Sequence, residues 1–185
     1  MLVVVGIVAL ARTQDRSRAT TTTSTAVAST IELGGRRPLA DFGQVRIRIR
    51  AADGRTCEAC MLAAETPEQR SRGLMEVTDP ALGGYDGMLF SFPDRPGSGG
   101  FWMRRTRIPL RSVFFDAQGR YLANFAMTPC PDSTADVDCP RYGPDVPYAS
   151  VVELAALEPA DLLMGEGSTI TVAGTDCPAR LAGRD

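Results

Sequence analysis

The sequence predicts a mainly β protein, a small β-sandwich or barrel with one or two short helices. Three observations carry that prediction. Val45, Ile47 and Ile49 alternate with Arg46, Arg48 and Arg50, the period of two that gives a strand one dry and one wet face. Short apolar segments rich in β-branched and aromatic residues then recur at 60–65, 88–92, 101–103, 111–116, 120–127, 148–154 and 168–172. Helical signals occur only at 66–73 and 159–164, and both are brief.

Taken in order, the folded chain is expected to begin near Val45. Asp53-Gly54 marks a turn, so 60–65 reads as the returning strand of a hairpin. Thr66-Pro67-Glu68-Gln69 is a helix start: Thr caps, Pro fits the first helical position, and Gln three residues on completes a capping box. Gly73 stops that helix within two turns. Ala117-Gln118-Gly119 is a short connection between the strands at 111–116 and 120–127. Residues 159–164 give one helical turn closed by Gly165, and 168–172 is the last strand. No internal repeat is visible.

The domain reading is therefore one β-rich unit at 45–173, with a C-terminal tail at 174–185. Residues 12–40 are rich in Thr, Ser, Arg and Ala and offer nothing periodic to bury, the composition of a disordered tether. Residues 2–11 are continuously apolar. Ten residues make about 15 Å of helix, half a hydrocarbon core, so 1–11 reads as a truncated signal-peptide or anchor h-region rather than a span. Ala9-Leu10-Ala11 and Ala26-Val27-Ala28 are small-residue cleavage patterns, and no lipobox cysteine follows. These features predict an extracytoplasmic protein, secreted or in the cell envelope, whose membrane tether runs only through its N-terminus.

Composition narrows the chemistry. All 20 basic residues are Arg, and neither Lys nor His occurs among the 185 residues. That excludes a histidine general base, a Ser-His-Asp or Cys-His triad, a His-ligated metal, a lysine Schiff base and a P-loop lysine. The 22 acidic residues leave a net charge of −2, which argues against a nucleic-acid partner, although Arg46, Arg48 and Arg50 form a local basic stripe.

Five cysteines in an exported chain point to disulfides. Cys130 and Cys139 bracket a loop with little else to hold it. Closing about ten residues removes unfolded-state entropy worth roughly 2.7 kcal/mol in the chain-entropy model. Cys57 and Cys60 form a C-x-x-C. On a flat strand they stand about 10 Å apart on opposite faces, too far for a bond unless a local turn intervenes. Otherwise Cys177 pairs with one of them, and the pairing of Cys57, Cys60 and Cys177 stays open at this point. A four-sulfur zinc site from Cys57, Cys60, Cys130 and Cys139 would need a C-x8-C arm instead of the tight knuckle, so no metal is assigned. Asp132, Asp136 and Asp138 lack the spacing of a calcium loop and read as a solvated acidic loop. No cofactor is expected.

Several ordered blocks resemble the domain-of-unknown-function 192 family, a prokaryotic group of small, often exported proteins. They are Arg70 with Arg72-Gly73-Leu74-Met75, Asp86-Gly87-Met88-Leu89-Phe90 with Phe92, Phe101-Trp102-Met103-Arg104-Arg105-Thr106, Ile108-Pro109-Leu110, and Phe115-Asp116 with Gly119. Glu153 matches the acidic position of the last long strand, and Gly165 with Gly167 match the turn before the final one. The resemblance spans roughly 57–173. It implies a compact, mainly β fold of sandwich type and no assigned activity. Two departures stand out. Arg104-Arg105-Thr106 replaces the usual Lys-Asn-Thr, and Arg111 stands where Asp is common.

Two sets of residues carry candidate function. Trp102, the only Trp, precedes Arg104 and Arg105 behind a glycine-rich lip at 96–100. Strand alternation sends Trp102 and Arg104 to one face, and an aromatic beside a guanidinium suits a small molecule, a glycan or a protein ligand. Arg72 joins that set. Asp116 and Glu153 are the other set, because two carboxylates across a cleft supply the acid and base of a glycosidase-like hydrolase without His. The leading expectation is a ligand- or partner-binding module, with hydrolysis through Asp116 and Glu153 as the alternative.

Overall fold

Strand β1 (Gly43–Arg50) pairs antiparallel with β2 (Thr56–Ala64), Arg46 opposite Cys60 and Ile49 opposite Cys57. The alternation read from the sequence becomes geometry here. Val45, Ile47 and Ile49 are buried, while Arg46 and Arg48 turn outward and share Glu58, each at 2.7 Å. Residues 59–64 of β2 are buried without alternation, as a strand covered on both faces must be.

The helix α1 (Pro67–Arg72) follows with its capping box intact. Thr66 Oγ1 accepts from Gln69 N at 3.2 Å, and Gln69 Oε1 accepts from Thr66 N at 2.9 Å. Gly73 ends the helix at φ +48°. This helix and a 3-10 turn at Leu82–Gly84 form the crossover that lets β3 (Gly87–Ser91) lie parallel to β2.

β4 (Phe101–Trp102), β5 (Leu110–Phe115), β6 (Tyr121–Met127), β7 (Arg141–Tyr142), β8 (Ser150–Leu154) and β9 (Thr169–Gly174) complete the strands of the described residues. The main sheet has the order β6-β5-β8-β3-β2-β1-β9, and only its β2–β3 pair is parallel. β4 and β7 form a separate ribbon, with Phe101 opposite Tyr142 and Trp102 opposite Arg141.

Ile170 of β9 and Phe115 of β5 share one apolar cluster with Ile47, Met61, Leu89 and Val152. Because their strands lie toward opposite ends of the sheet order, the sheet must curl around this inner cluster. Its edges touch where Tyr121 N donates to the Ser168 carbonyl (3.0 Å) and Ile170 N to the Gly119 carbonyl (2.8 Å). Gly119 is at φ +72°, and a Cβ there would stand 2.1 Å from the Ile170 carbonyl oxygen, so only glycine permits the approach. One isolated bridge, Arg120 to Thr169, is the only strand pairing there among the described residues. The sheet is open, which corrects the barrel alternative: the ladder never propagates between β6 and β9.

The other face carries a second cluster, including Leu62, Met88, Phe90, Phe114, Met127 and Val151. The ribbon and the disulfide Cys130–Cys139 pack against it. Phe101 stands edge-on to Phe90 at 4.9 Å and to Phe114 at 5.7 Å.

The computed structural model describes residues 35–178. The apolar segment at 1–11, most of the tether at 12–40 and the end of the tail lie outside these residues. Within them, the ordered body reaches past both composition-based boundaries. Arg36 is buried, donating to the Gly84 carbonyl (3.1 Å) and the Pro178 carbonyl (2.6 Å). Cys177 is bonded to Cys60 with a Cα separation of 5.8 Å. No helix among the described residues is long and apolar enough to cross a membrane.

Candidate functional site

On β8, Val152 and Leu154 face the inner cluster, so alternation sends Val151 and Glu153 to the outer one. Glu153 is only 4% exposed. Burial alone pushes its carboxyl up to about 8, and no hydrogen-bond partner among the described residues offsets the cost. Its register partner on β5 is Ser112, whose buried hydroxyl also lacks a partner. The orphaned Ser112 hydroxyl thus sits beside a buried carboxyl in an apolar layer. Leaving a neutral polar group unpaired in such a layer costs about 1–3 kcal/mol, so the fold gives up stability at this spot.

Glu153 floors a cavity of about 40 Å³ walled by Phe90, Phe101, Trp102, Thr106 and residues 70–75. The ribbon positions Trp102, and the Arg141 guanidinium lies 4.6 Å from its ring centroid. Two arginines line the cavity with their charged heads engaged elsewhere. Arg70 donates to the carbonyls of Glu65 and Ser91 and covers the Phe92 ring. Arg72 bonds Asp41 (3.0 Å) and the Ala40 carbonyl (3.1 Å), and covers Phe42. Beside the cavity, and sharing Ser71, Arg72 and Met75 with it, runs a groove of about 730 Å³.

The remaining sequence candidates go elsewhere. Strand β4 ends at Trp102, so alternation stops there and Arg104 does not join Trp102 on one face. Arg104 pairs with Asp136 at 2.7 Å and donates to the carbonyls of Asp132 and Thr134, which makes it a clamp on the 130–139 loop. Arg105, at φ +56°, pairs with Glu76 at 2.9 Å and lines the groove but not the small cavity.

Asp116 does not meet Glu153. Ser112 is opposite Glu153, and Asp116 lies four residues further along the strand direction, about 13 Å away at the backbone. Its carboxylate accepts from Gln118 N (2.8 Å), Arg120 N (2.9 Å) and Arg120 Nε (2.7 Å). Burial pushes this carboxyl up, but those bonds, led by the Arg120 backbone, hold it below the usual range. Asp116 is a turn residue, and the pair required for glycosidase chemistry does not assemble in one cavity.

Among the thiols, Cys130–Cys139 and Cys60–Cys177 are bonded and Cys57 is free. Cys57 donates to the Leu162 carbonyl at 3.4 Å, and burial, with Asp86 adding to it, pushes its thiol up, opposite to an activated nucleophile. Three of the four sulfurs of the zinc alternative are thereby consumed. No cluster of three or more metal-ligating side chains occurs among the described residues.

A family profile described as an uncharacterized ACR, domain of unknown function 192, matches residues 48–172. The chain belongs to the DUF192 family. No curated protein matches it significantly. Among solved structures, this DUF192 protein is similar to one from Sinorhizobium meliloti 1021, provisionally named a transcription regulator. The two are 29% identical, with 72% of this chain and 96% of that chain covered, at a TM-score of 0.56. A protein of unknown function from Novosphingobium aromaticivorans DSM 12444 shares the fold at 23% identity and a TM-score of 0.58, covering 80% of this chain and 98% of its own.

Sequence reasoning flagged Trp102, Arg72 and Glu153 but missed Ser112, Phe90 and the role of the 70–75 turn. Ser112 did carry a signal. It is a hydroxyl in phase with Leu110 and Phe114 on an apolar strand.

Proposed function

We propose that this DUF192 protein is an extracytoplasmic binding module whose ligand enters the cavity between Trp102 and Glu153. The observation that carries the reading is the Glu153 carboxyl, nearly fully buried, without a partner, and open to a small cavity under the sole Trp. A stability-driven strand would place an aliphatic residue there, as at Val151 and Val152 beside it. Export is supported by the two disulfides, which persist in oxidising compartments. Binding is favoured over hydrolysis because the cavity holds a single carboxyl.

A nucleic-acid partner is not proposed. The regulator's name belongs to the Sinorhizobium meliloti protein, whereas here Glu58 and Asp176 pair with two of the three arginines in the basic stripe, Arg46 and Arg48.

Because Trp102 is the only Trp, its emission reports on the cavity directly. Titration with envelope sugars, short peptides, amines and anions is expected to give a saturable emission change with at least one class, accompanied by a rise in melting temperature. A panel that moves neither signal refutes the binding reading. For export, thiol titration of unreduced protein recovered from the native host is expected to find one free thiol per chain. Five thiols would refute an oxidising compartment.

A further inference from the structure

We infer that the cavity takes a primary ammonium group at the tip of an extended ligand, with Glu153 as its counter-charge and Phe90, Phe101 and Trp102 as its walls. This rests on the binding reading above and assigns its ligand chemistry. Size comes first. A volume of about 40 Å³ is little more than one water's share of the liquid, about 30 Å³, so only a compact head group fits.

Charge comes next. The ionisable groups lining the cavity are Glu153 from β8 and Arg70 and Arg72 from α1; the uncharged Ser112 of β5 is the register partner of Glu153 and does not line it. Both guanidiniums are bound to carbonyls, Asp41 and aromatic rings, and neither hydrogen-bonds Glu153, on whose carboxyl burial alone acts. Aromatic walls favour a cation over an anion, because their faces are electron-rich.

Shape supplies the last argument. The adjoining groove shares Ser71, Arg72 and Met75 with the cavity, and its rim carries Glu68, Glu76 and Asp79 against Arg72 and Arg105. A long chain lying in a mildly acidic groove with its charged tip in the hole matches both features.

Entry of the cation converts the Glu153 acid to its carboxylate and sends that proton to solvent, while the ammonium keeps its own three. Binding is therefore linked to pH. Only the ionised carboxyl accepts the ligand, so apparent affinity rises about tenfold from pH 6 to pH 7 and levels above about pH 8.

The test is calorimetric titration in two buffers of different ionisation enthalpy, read together with Trp102 emission. The probes are butylammonium and Nα-acetyl-lysine methylamide, with 1-butanol and butyrate as neutral and anionic counterparts. Binding of either amine, with close to one proton released at pH 6, supports the inference, and the stronger of the two identifies a free amine or a lysine side chain as the source. Glu153→Gln is expected to weaken amine binding at least tenfold. Should that variant fail to fold, the pH profile of the unaltered protein decides alone. Preference for butanol or butyrate, or an affinity independent of pH, overturns the ammonium assignment and leaves the binding reading intact. Silence from these four probes alongside a response to a sugar does the same, whereas silence from every compound sinks both.

Discussion

The two faces of the curled sheet differ in what they tolerate. The inner cluster joins residues from six strands, among them Ile47, Ile49, Met61, Val113, Phe115 and Val152, and all six of these are fully buried and apolar. The outer face is just as dry around Leu62, Phe90 and Phe114, yet it contains Glu153 and the orphaned Ser112 hydroxyl. The inner face thus looks optimised for cohesion, while the outer one gives up stability at one spot. That spot lies beneath the ribbon that carries Trp102. The lesson is that burial by itself does not distinguish core from site; an uncompensated polar group within it does.

The strongest way to sharpen this contrast is pH. Below about pH 4.5 Glu153 is protonated whether the chain is folded or not. The folded state keeps the proton up to about pH 8, so stability contributed by this group is full in acid and is lost as pH rises through that interval. The total decline is about 5 kcal/mol, and Glu153→Gln should flatten it in urea melts recorded from pH 5 to 9. Glu58 and Glu76, held below the usual range by hydrogen bonds from their arginines, act in the opposite sense and only at the acid end. A flat wild-type profile would break the claim that Glu153 is uncompensated.

Phe115→Ala probes the inner face. Emptying a fully buried aromatic position should cost about 3–5 kcal/mol in a denaturant titration. A loss below about 1 kcal/mol would mean that the inner cluster is loosely packed. Replacing both Cys130 and Cys139 with Ala tests the cover of the outer face. The expected cost is about 2.7 kcal/mol, and Trp102 emission should report it before far-ultraviolet dichroism does, because the loop adjoins the ribbon. Smallest of all is Ser112→Ala. Removing a buried hydroxyl that bonds nothing should leave the melting midpoint unchanged or raise stability by about 1 kcal/mol. A loss above about 1.5 kcal/mol would reveal a partner for that hydroxyl.

Much of the local structure was legible. The alternation at 45–50 became β1, and Thr66 with Gln69 formed the expected capping box. Both signals depend only on neighbours in sequence. What escaped depends on distant partners. The ribbon strand Arg141–Tyr142 has two residues, too few for any periodicity, and exists because Trp102 and Phe101 lie opposite. The parallel pairing of β2 with β3 likewise has no local mark. The site was half legible. Glu153 stood out as an acid among Val and Leu, but its expected partner was Asp116, whose fate the nearby Gly119 already announced: an Asp three residues before a hairpin glycine closes the turn. Arg104 was misplaced for a similar reason, since alternation was extended two residues beyond the end of a two-residue strand.

The Cys60–Cys177 bond has a mechanical consequence. It joins the second strand to the stretch just past the last, enclosing α1, the ribbon and every strand from β3 to β9 in a covalent ring. Tension applied through the two ends of the chain bypasses that ring and can peel off only β1 and the first part of β2. The enclosed span of 117 residues, about 400 Å of contour, stays in reserve until a reductant opens the bond. A domain held at one end while its cavity grips something fixed would stretch little and keep its binding face intact.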